Sequence, residues 1–248
     1  MELVQNGAVG EPALELALSA ALLTRVASGG RPSLLRVYVP QATVAFGRRD
    51  TFVPSFALAA AAARRRGFTP VVRSAGGRAA AYDEGCLIFE EIMHAPDSAS
   101  GIHERFASEA GRQAEALRRL GVDARVGEVP GEYCPGEFTV NARGATKLIG
   151  AAQRIIRGGW MFASVVVVES TDRLRPVLED VYAALALDWD PASVGAVADE
   201  APGVGVDEAR RSLLETYADR YELVPGGAVT DEDLAAAAAL LHRHRVSV

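Results

Sequence analysis

Strand-like segments in this chain come in groups, and a single helix-like segment separates each group from the next. That order argues against a doubly wound arrangement, in which helices and strands alternate strictly, and points to an α+β fold with a mixed β-sheet core flanked by helices. The helices show by their period. Leu14, Leu18, Leu22 and Val26 repeat along residues 12–26, and Ile102, Phe106, Ala110, Leu117 and Leu120 line one face of residues 102–120, which Gly121 ends. An Ala-rich helix over 55–66 stops at Gly67, a residue suited to the left-handed cap. Strands are expected over 34–39 and 43–48, paired around Pro40, and over 69–73, 86–93, 122–126 and 160–168. Residues 138–143 and 146–157 read as hairpin partners across Gly144. The rest is helical, over 172–187, 207–221 and 231–244, after a loop-like stretch at 190–205. We therefore expect a main domain over 1–170 and a helical C-terminal part, 171–248, packed on it.

Charge narrows the function classes. The net charge is −6, and Arg64, Arg65 and Arg66 form the only tight basic run, so a nucleic-acid binder that lives on counterion release is not expected. Two cysteines, Cys86 and Cys134, are too few for a disulfide framework and fit a reducing compartment. Glu2, Glu11 and Glu15 leave no basic leader at the N-terminus. No stretch reaches the ~18 apolar residues of a membrane span. These features together lead us to expect a cytoplasmic protein with no membrane partner. No metal-ligand spacing occurs; His242 and His244 sit two apart and face different ways on a helix.

Within 26 Lys and Arg residues, 25 are Arg and one is Lys, Lys147, in a chain that also carries 45 Ala. Usage has drifted towards Arg, so a lone Lys marks a place where a planar fork would not serve and a compact charge on a thin stem does. Chance survival of one Lys is the plainer alternative.

Three segments carry candidate chemistry. In Arg73-Ser-Ala-Gly-Gly-Arg78, Gly76 and Gly77 let the backbone approach a ligand, and Arg73 can hold a carboxylate or phosphate; a simple turn is the alternative. In Thr146-Lys-Leu-Ile-Gly-Ala-Ala-Gln-Arg154, Lys147 sits beside the small residues Gly150, Ala151 and Ala152. That arrangement suits a narrow apolar ligand whose carbonyl lies near the ammonium; a surface Lys on a strand packed under a helix is the alternative. Cys134 lies in a Pro- and Gly-bounded loop, Glu132-Tyr-Cys-Pro-Gly136. A free Cys is most often buried and inert, but one beside a cation becomes nucleophilic, and Lys147 is the nearest plausible cation. Cys86 opens an apolar strand, where burial is expected.

Taken together, these segments resemble the biotin/lipoate protein ligase superfamily, and within it the lipoate ligase and octanoyltransferase branch, over about residues 12–168. Arg73, Gly76, Gly77 and Ala79, with Ala80 beside it, fit the branch's Arg-x-x-Gly-Gly-x-Ala acyl-pocket segment. Lys147, Gly150 and Ala152 reproduce its Lys-x-x-Gly-x-Ala stretch. ATP-dependent ligases usually carry His where this chain has Tyr82 and Asn where it has Cys86. Tyr133-Cys134-Pro135-Gly136 resembles instead the nucleophile loop of the cysteine-dependent lipoyl/octanoyl amidotransferases, and Gln153-Arg154 followed by Arg157-Gly158-Gly159 is similar to that group.

The resemblance implies the ligase catalytic-domain fold and a two-step acyl transfer. Cys134 takes an octanoyl or lipoyl group as a thioester, Lys147 stabilises the acyl carbonyl, and the target lysine of a lipoyl domain then receives the group. Arg73, Gly76, Gly77, Ala79, Ala80, Gly150 and Ala152 are implied to bind the acyl chain. No cofactor is required on this reading. The implied partners are lipoyl-domain proteins, namely the glycine cleavage H protein and the acyltransferase components of 2-oxoacid dehydrogenases, with acyl carrier protein a further donor. Two rivals stand beside it. One is an ATP-dependent lipoate–protein ligase working with ATP and Mg through an acyl-adenylate; the other is a non-catalytic lipoyl-binding paralogue.

Overall fold

The computed structural model describes residues 1–6, 9–169 and 171–247. The elements in chain order are β1 (Glu2–Gln5), α1 (Pro12–Ala27), β2 (Leu34–Tyr38), β3 (Thr43–Phe46), α2 (Phe56–Arg65), β4 (Thr69–Val72), β5 (Ala80–Tyr82), β6 (Cys86–His94) and α3 (Ile102–Arg119). They continue with β7 (Ala124–Val126), β8 (Val140–Ala142), β9 (Thr146–Ile156), β10 (Gly159–Val167), α4 (Thr171–Ala184), α5 (Val197–Glu200), α6 (Val206–Ala218), β11 (Val224–Gly227) and α7 (Asp231–Leu240).

The main sheet has eight strands in the order β11-β1-β2-β6-β10-β9-β8-β7. β1 runs parallel to β2 and β11, and the remaining pairs are antiparallel, so the sheet is mixed. A second sheet, β4-β3-β5, stands beside it. β2 and β3 were expected to pair around Pro40. They belong to different sheets instead: β2 bonds β1 and β6, while β3 bonds β4 and β5. Pro40 marks the crossing, and Phe46 and Ala45 are buried in a separate core with α2 and α4.

Alternation along the strands sorts the main sheet's two faces. Leu35, Val37, Leu87, Phe89 and Val166 face α3 and α6, where they meet Ala114, Leu117, Leu213 and Tyr217. Leu34, Ile92 and Met161 face α1, which buries Leu18, Leu22 and Val26 completely and carries α7 on its back. Each such residue contributes roughly 1.5–3 kcal/mol. That burial holds α1 in place although the same helix presents Glu15 and Ser19, both buried, to the sheet. At its far end the α1-facing side of β9 and β10 is built from Gly150, Ala152 and Ala163, and this small-residue strip becomes the floor of the site described below.

The C-terminal elements join the same body. α4 packs on α2, and β11 extends the main sheet beside β1. Ser170, at the expected boundary between the parts, lies outside the described residues.

Candidate active site

Two loops meet at Cys134. One joins β4 to β5 and carries Arg73 to Arg78; the other joins β7 to β8 and carries Glu132 to Thr139. Cys134 has φ 44°, the left-handed region that a side-chain-bearing residue adopts only under constraint. The constraints are visible. Its N–H donates to Tyr182 Oη at 2.8 Å, and that hydroxyl donates onward to the Ala79 carbonyl at 2.9 Å. Burial raises the Tyr182 hydroxyl well above the usual tyrosine range, which keeps its proton in place for that bond. The Cys134 carbonyl accepts from Lys147 Nζ at 2.8 Å, and the Tyr133 carbonyl accepts from the same ammonium at 3.1 Å.

Lys147 Nζ also stands 2.7 Å from Glu132 Oε2, an ion pair with both side chains buried. Glu132 also accepts the Val129 N–H at 3.1 Å and the Thr139 hydroxyl at 2.8 Å. A buried pair whose remaining lone pairs are filled in this way repays its desolvation. Lys147 therefore clamps the Cys134 loop through its backbone.

The thiol itself is met by other groups. Sγ accepts the Arg78 backbone N–H at 3.2 Å and Arg73 Nη2 at 3.4 Å. Lys147 was expected to be the cation at the thiol; the guanidinium of Arg73 takes that place, while the ammonium is held by two backbone carbonyls and the Glu132 carboxylate. Arg73 is held by the Arg78 carbonyl at 2.6 Å.

Close packing of glycines allows the two loops to meet. A Cβ on Gly77 (φ 97°) would lie 2.5 Å from Arg73 Nη2 and 2.8 Å from Cys134 Sγ. A Cβ on Gly47 would lie 1.9 Å from the Gly77 carbonyl oxygen, so the β3 end must also be Gly. Asp50, fully buried, ties the same corner by accepting from Gly47 N–H at 3.0 Å and Arg78 Nη1 at 3.1 Å. Gly150 serves the lysine: its Cβ would lie 2.9 Å from Lys147 Cε.

Two neighbouring cavities share part of their lining, and Cys134 borders the outer of them. The outer, about 650 Å³, is bordered by Gly76, Gly77, Cys134, Lys147 and the stacked pair Phe106 and Phe138. The inner, about 60 Å³, runs under α1 past Arg73, Tyr82, Gly150 and Ala152 to Tyr38 and Glu90. Ser74, Ala151 and Ala152 belong to both. Ala79 and Ala80 line neither; they are buried behind the loop, where the Ala79 carbonyl anchors Tyr182. Cys86 is fully buried, and burial pushes its thiol up, away from reactivity. Sequence reasoning did not find Gly47, Asp50 or Tyr182 as parts of the site, and it quoted Glu132 without a role.

A thiol with donors at its sulfur, at the edge of a cavity, is an arrangement suited to covalent chemistry. The family model described as the lipoyl protein ligase A/B catalytic domain matches residues 11–218. The chain belongs to this family.

Among its relatives is an octanoyl-[GcvH]:protein N-octanoyltransferase of Geobacillus kaustophilus, 32% identical over 143 residues, which are 58% of this chain and 50% of that protein. The protein of the same name from Anoxybacillus flavithermus is 37% identical over 141 residues, 56% of this chain and 50% of its own. The chain thus spans about half the length of the curated relatives it matches. Among solved structures, the lipoate protein ligase Ta0514 of T. acidophilum, with bound lipoic acid, superposes with a TM-score of 0.75 at 22% identity. That match covers 98% of this chain and 95% of the other, and it shows this family member to have the lipoate-protein ligase fold.

Proposed function

We propose that this protein transfers an octanoyl or lipoyl group to the target lysine of a lipoyl domain through a thioester on Cys134. The observation that carries this reading is the Cys134 sulfur, held by a strained backbone at the edge of the outer cavity and met by Arg73 and the Arg78 N–H. The names of the Geobacillus and Anoxybacillus relatives support octanoyl as the group and a lipoyl-domain protein such as the glycine cleavage H protein as partner.

In the first step the Cys134 thiolate attacks the acyl carbonyl of the donor. A new C–S bond forms, the bond to the donor heteroatom breaks, and the departing group takes a proton. In the second step the neutral lysine amine of the acceptor attacks the thioester, the C–N bond forms as the C–S bond breaks, the nitrogen gives up one proton to solvent, and the thiolate returns to Cys134. Hydrogen-bond donors aimed at the developing oxyanion lower both barriers. Lys147 fills that role once the acyl carbonyl replaces one of its two backbone acceptors. The exchange trades one acyl link for another, so it needs neither nucleotide nor metal. A free thiol nucleophile suits a reducing cytoplasm, and among the described residues no helix is long and apolar enough to cross a membrane.

Intact-mass analysis tests the reading. The wild type incubated with an octanoyl donor gains one hydroxylamine-labile octanoyl group, which chases onto a lipoyl-domain lysine. Cys134→Ala gains none and transfers nothing. Full turnover by Cys134→Ala, or adduct formation only with ATP present, would refute the covalent mechanism.

A further inference from the structure

The inner cavity ends against charge rather than hydrocarbon. Strand register places Arg36, Glu90, Ala163 and Ala152 in one row across β2, β6, β10 and β9, and Tyr38, Ile88, Val165 and Gly150 in the adjacent row. Opposed residues of paired strands share a face, so these side chains all point towards α1. On β9 and β10 the first row is alanine, and the sheet is bare enough for a chain to lie on it. On β6 it meets Glu90.

The Glu90 carboxylate is enclosed and fixed. It accepts from Ser19 Oγ at 2.6 Å and from Arg36 Nη1 at 3.1 Å. Arg36 is fully buried; it also pairs with Glu15, and its Nε donates to Asn6 at 3.1 Å. Leu16 and Ser19 of α1 roof this end. A wall of Leu or Met yields by changing rotamer, whereas a carboxylate held by two donors, on an arginine held by two further partners, yields only if a buried ion pair is parted.

The length of the groove gives the wall a meaning. From β9 to β6 is two strand spacings, roughly 9.5 Å, and an extended eight-carbon acyl chain measures roughly 9 Å from carbonyl carbon to terminal methyl. The geometry points to Glu90, backed by Arg36, as the end-stop that limits the acyl group on this protein to eight carbons in line. This rests on the acyl-transfer reading above. An eight-carbon chain whose carbonyl end sits over Ala152 on β9 crosses Ala163 and ends at the carboxylate. A ten-carbon chain must break the cluster or fold back into the outer cavity.

The test uses N-acetylcysteamine thioesters of six, eight, ten and twelve carbons, and it reads the rate of adduct formation on Cys134 by intact mass. The wild type prefers eight carbons to ten by about tenfold or more, the scale expected when a buried pair must be disturbed. Glu90→Ala removes the stop and leaves Arg36 balanced by Glu15 alone; its optimum moves to ten or twelve carbons. Ala163→Val, in the same row nearer the entrance, moves the optimum to six. Glu90→Gln keeps the size of the wall but gives up the ion pair with Arg36, so its preference for eight carbons over ten narrows without a shift to twelve. If Glu90→Ala fails to fold, Ala163→Val decides. Acyl transfer with a length profile unchanged in the variants overturns the end-stop and leaves the transfer reading standing. No adduct on the wild type with any length overturns both.

Discussion

Arg73 Nη2 stands 3.4 Å from the Cys134 sulfur, and the same nitrogen is 2.6 Å from the Arg78 carbonyl oxygen. The guanidinium therefore links Cys134 to the Gly-Gly loop that brings the Arg78 N–H to the same sulfur. Donors directed at a sulfur orient it and stabilise negative charge that develops there during attack. Arg73→Gln keeps a shorter donor and loses the charge. Its alkylation by iodoacetamide at pH 7 is expected to slow about tenfold, with the melting temperature within a few degrees of the wild type. An unchanged alkylation rate would remove Arg73 from the nucleophile's activation.

Lys147 acts on the loop as well as on the carbonyl. Lys147→Arg retains the charge, but the bulkier fork must enter a site where Gly150 already touches the lysine stem and three acceptors are placed for a point charge. Octanoyl transfer is expected to fall at least 100-fold, in the range of a lost oxyanion donor, with the fold retained by circular dichroism. Lys147→Met differs in kind. It leaves Glu132 buried without its cation and lowers stability by about 3–5 kcal/mol, readable in urea unfolding. A Lys147→Arg protein with near wild-type transfer would contradict the role given to the ammonium.

Gly77→Ala places a methyl between Arg73 and Cys134 in a backbone region hostile to side chains. Adduct formation is expected to drop by two orders of magnitude or more, while Gly76→Ala, whose Cβ meets nothing within 4 Å, retains most of it. Equal rates in the two variants would show that the close approach of the loops is dispensable.

These residues also show what a reading of the chain alone reaches. Lys147 was visible because a single Lys among many Arg is a compositional anomaly, and Cys134 because Pro and Gly bound it. The strand periodicity led to the mixed sheet and to the β8–β9 hairpin. What was hidden is non-local. Tyr182 lies 48 residues from the amide that it holds, on a helix whose period reports only burial. Glu132 reads as a loop carboxylate until β9 folds back beneath it. Gly47 carries no signal beyond being glycine, since its constraint is a carbonyl thirty residues away. The β2–β3 pairing failed for the same reason: neighbours in sequence usually pair in space, and here the chain changes sheets at Pro40. β1 and β11 are four residues each, and β11 is half Gly, too short and too weakly β-forming to be legible.

Glu91 gives the fold its own pH dependence. It faces α3 and α6, where Glu109 stands near, Arg112 and Arg220 offer partial compensation, and Tyr221 donates to Oε1. Its second oxygen is buried without a hydrogen-bond partner. Burial first, and the Glu109 charge second, raise its carboxyl to about 7. Unfolded, the same group ionises near pH 4.5, the ordinary glutamate value. Between those two values the folded state binds the proton and the unfolded state does not, so stability declines as pH rises from about 4.5 to 7 and levels off above. The contribution at pH 8 is on the order of a few kcal/mol against folding. Glu91→Gln keeps the shape and cannot ionise. Its urea midpoint is expected to exceed the wild type's at pH 8, to converge with it towards pH 5, and to lose the slope between. Curves for the two proteins that stay parallel from pH 5 to 8 would mean that Glu91 keeps the same ionisation folded and unfolded.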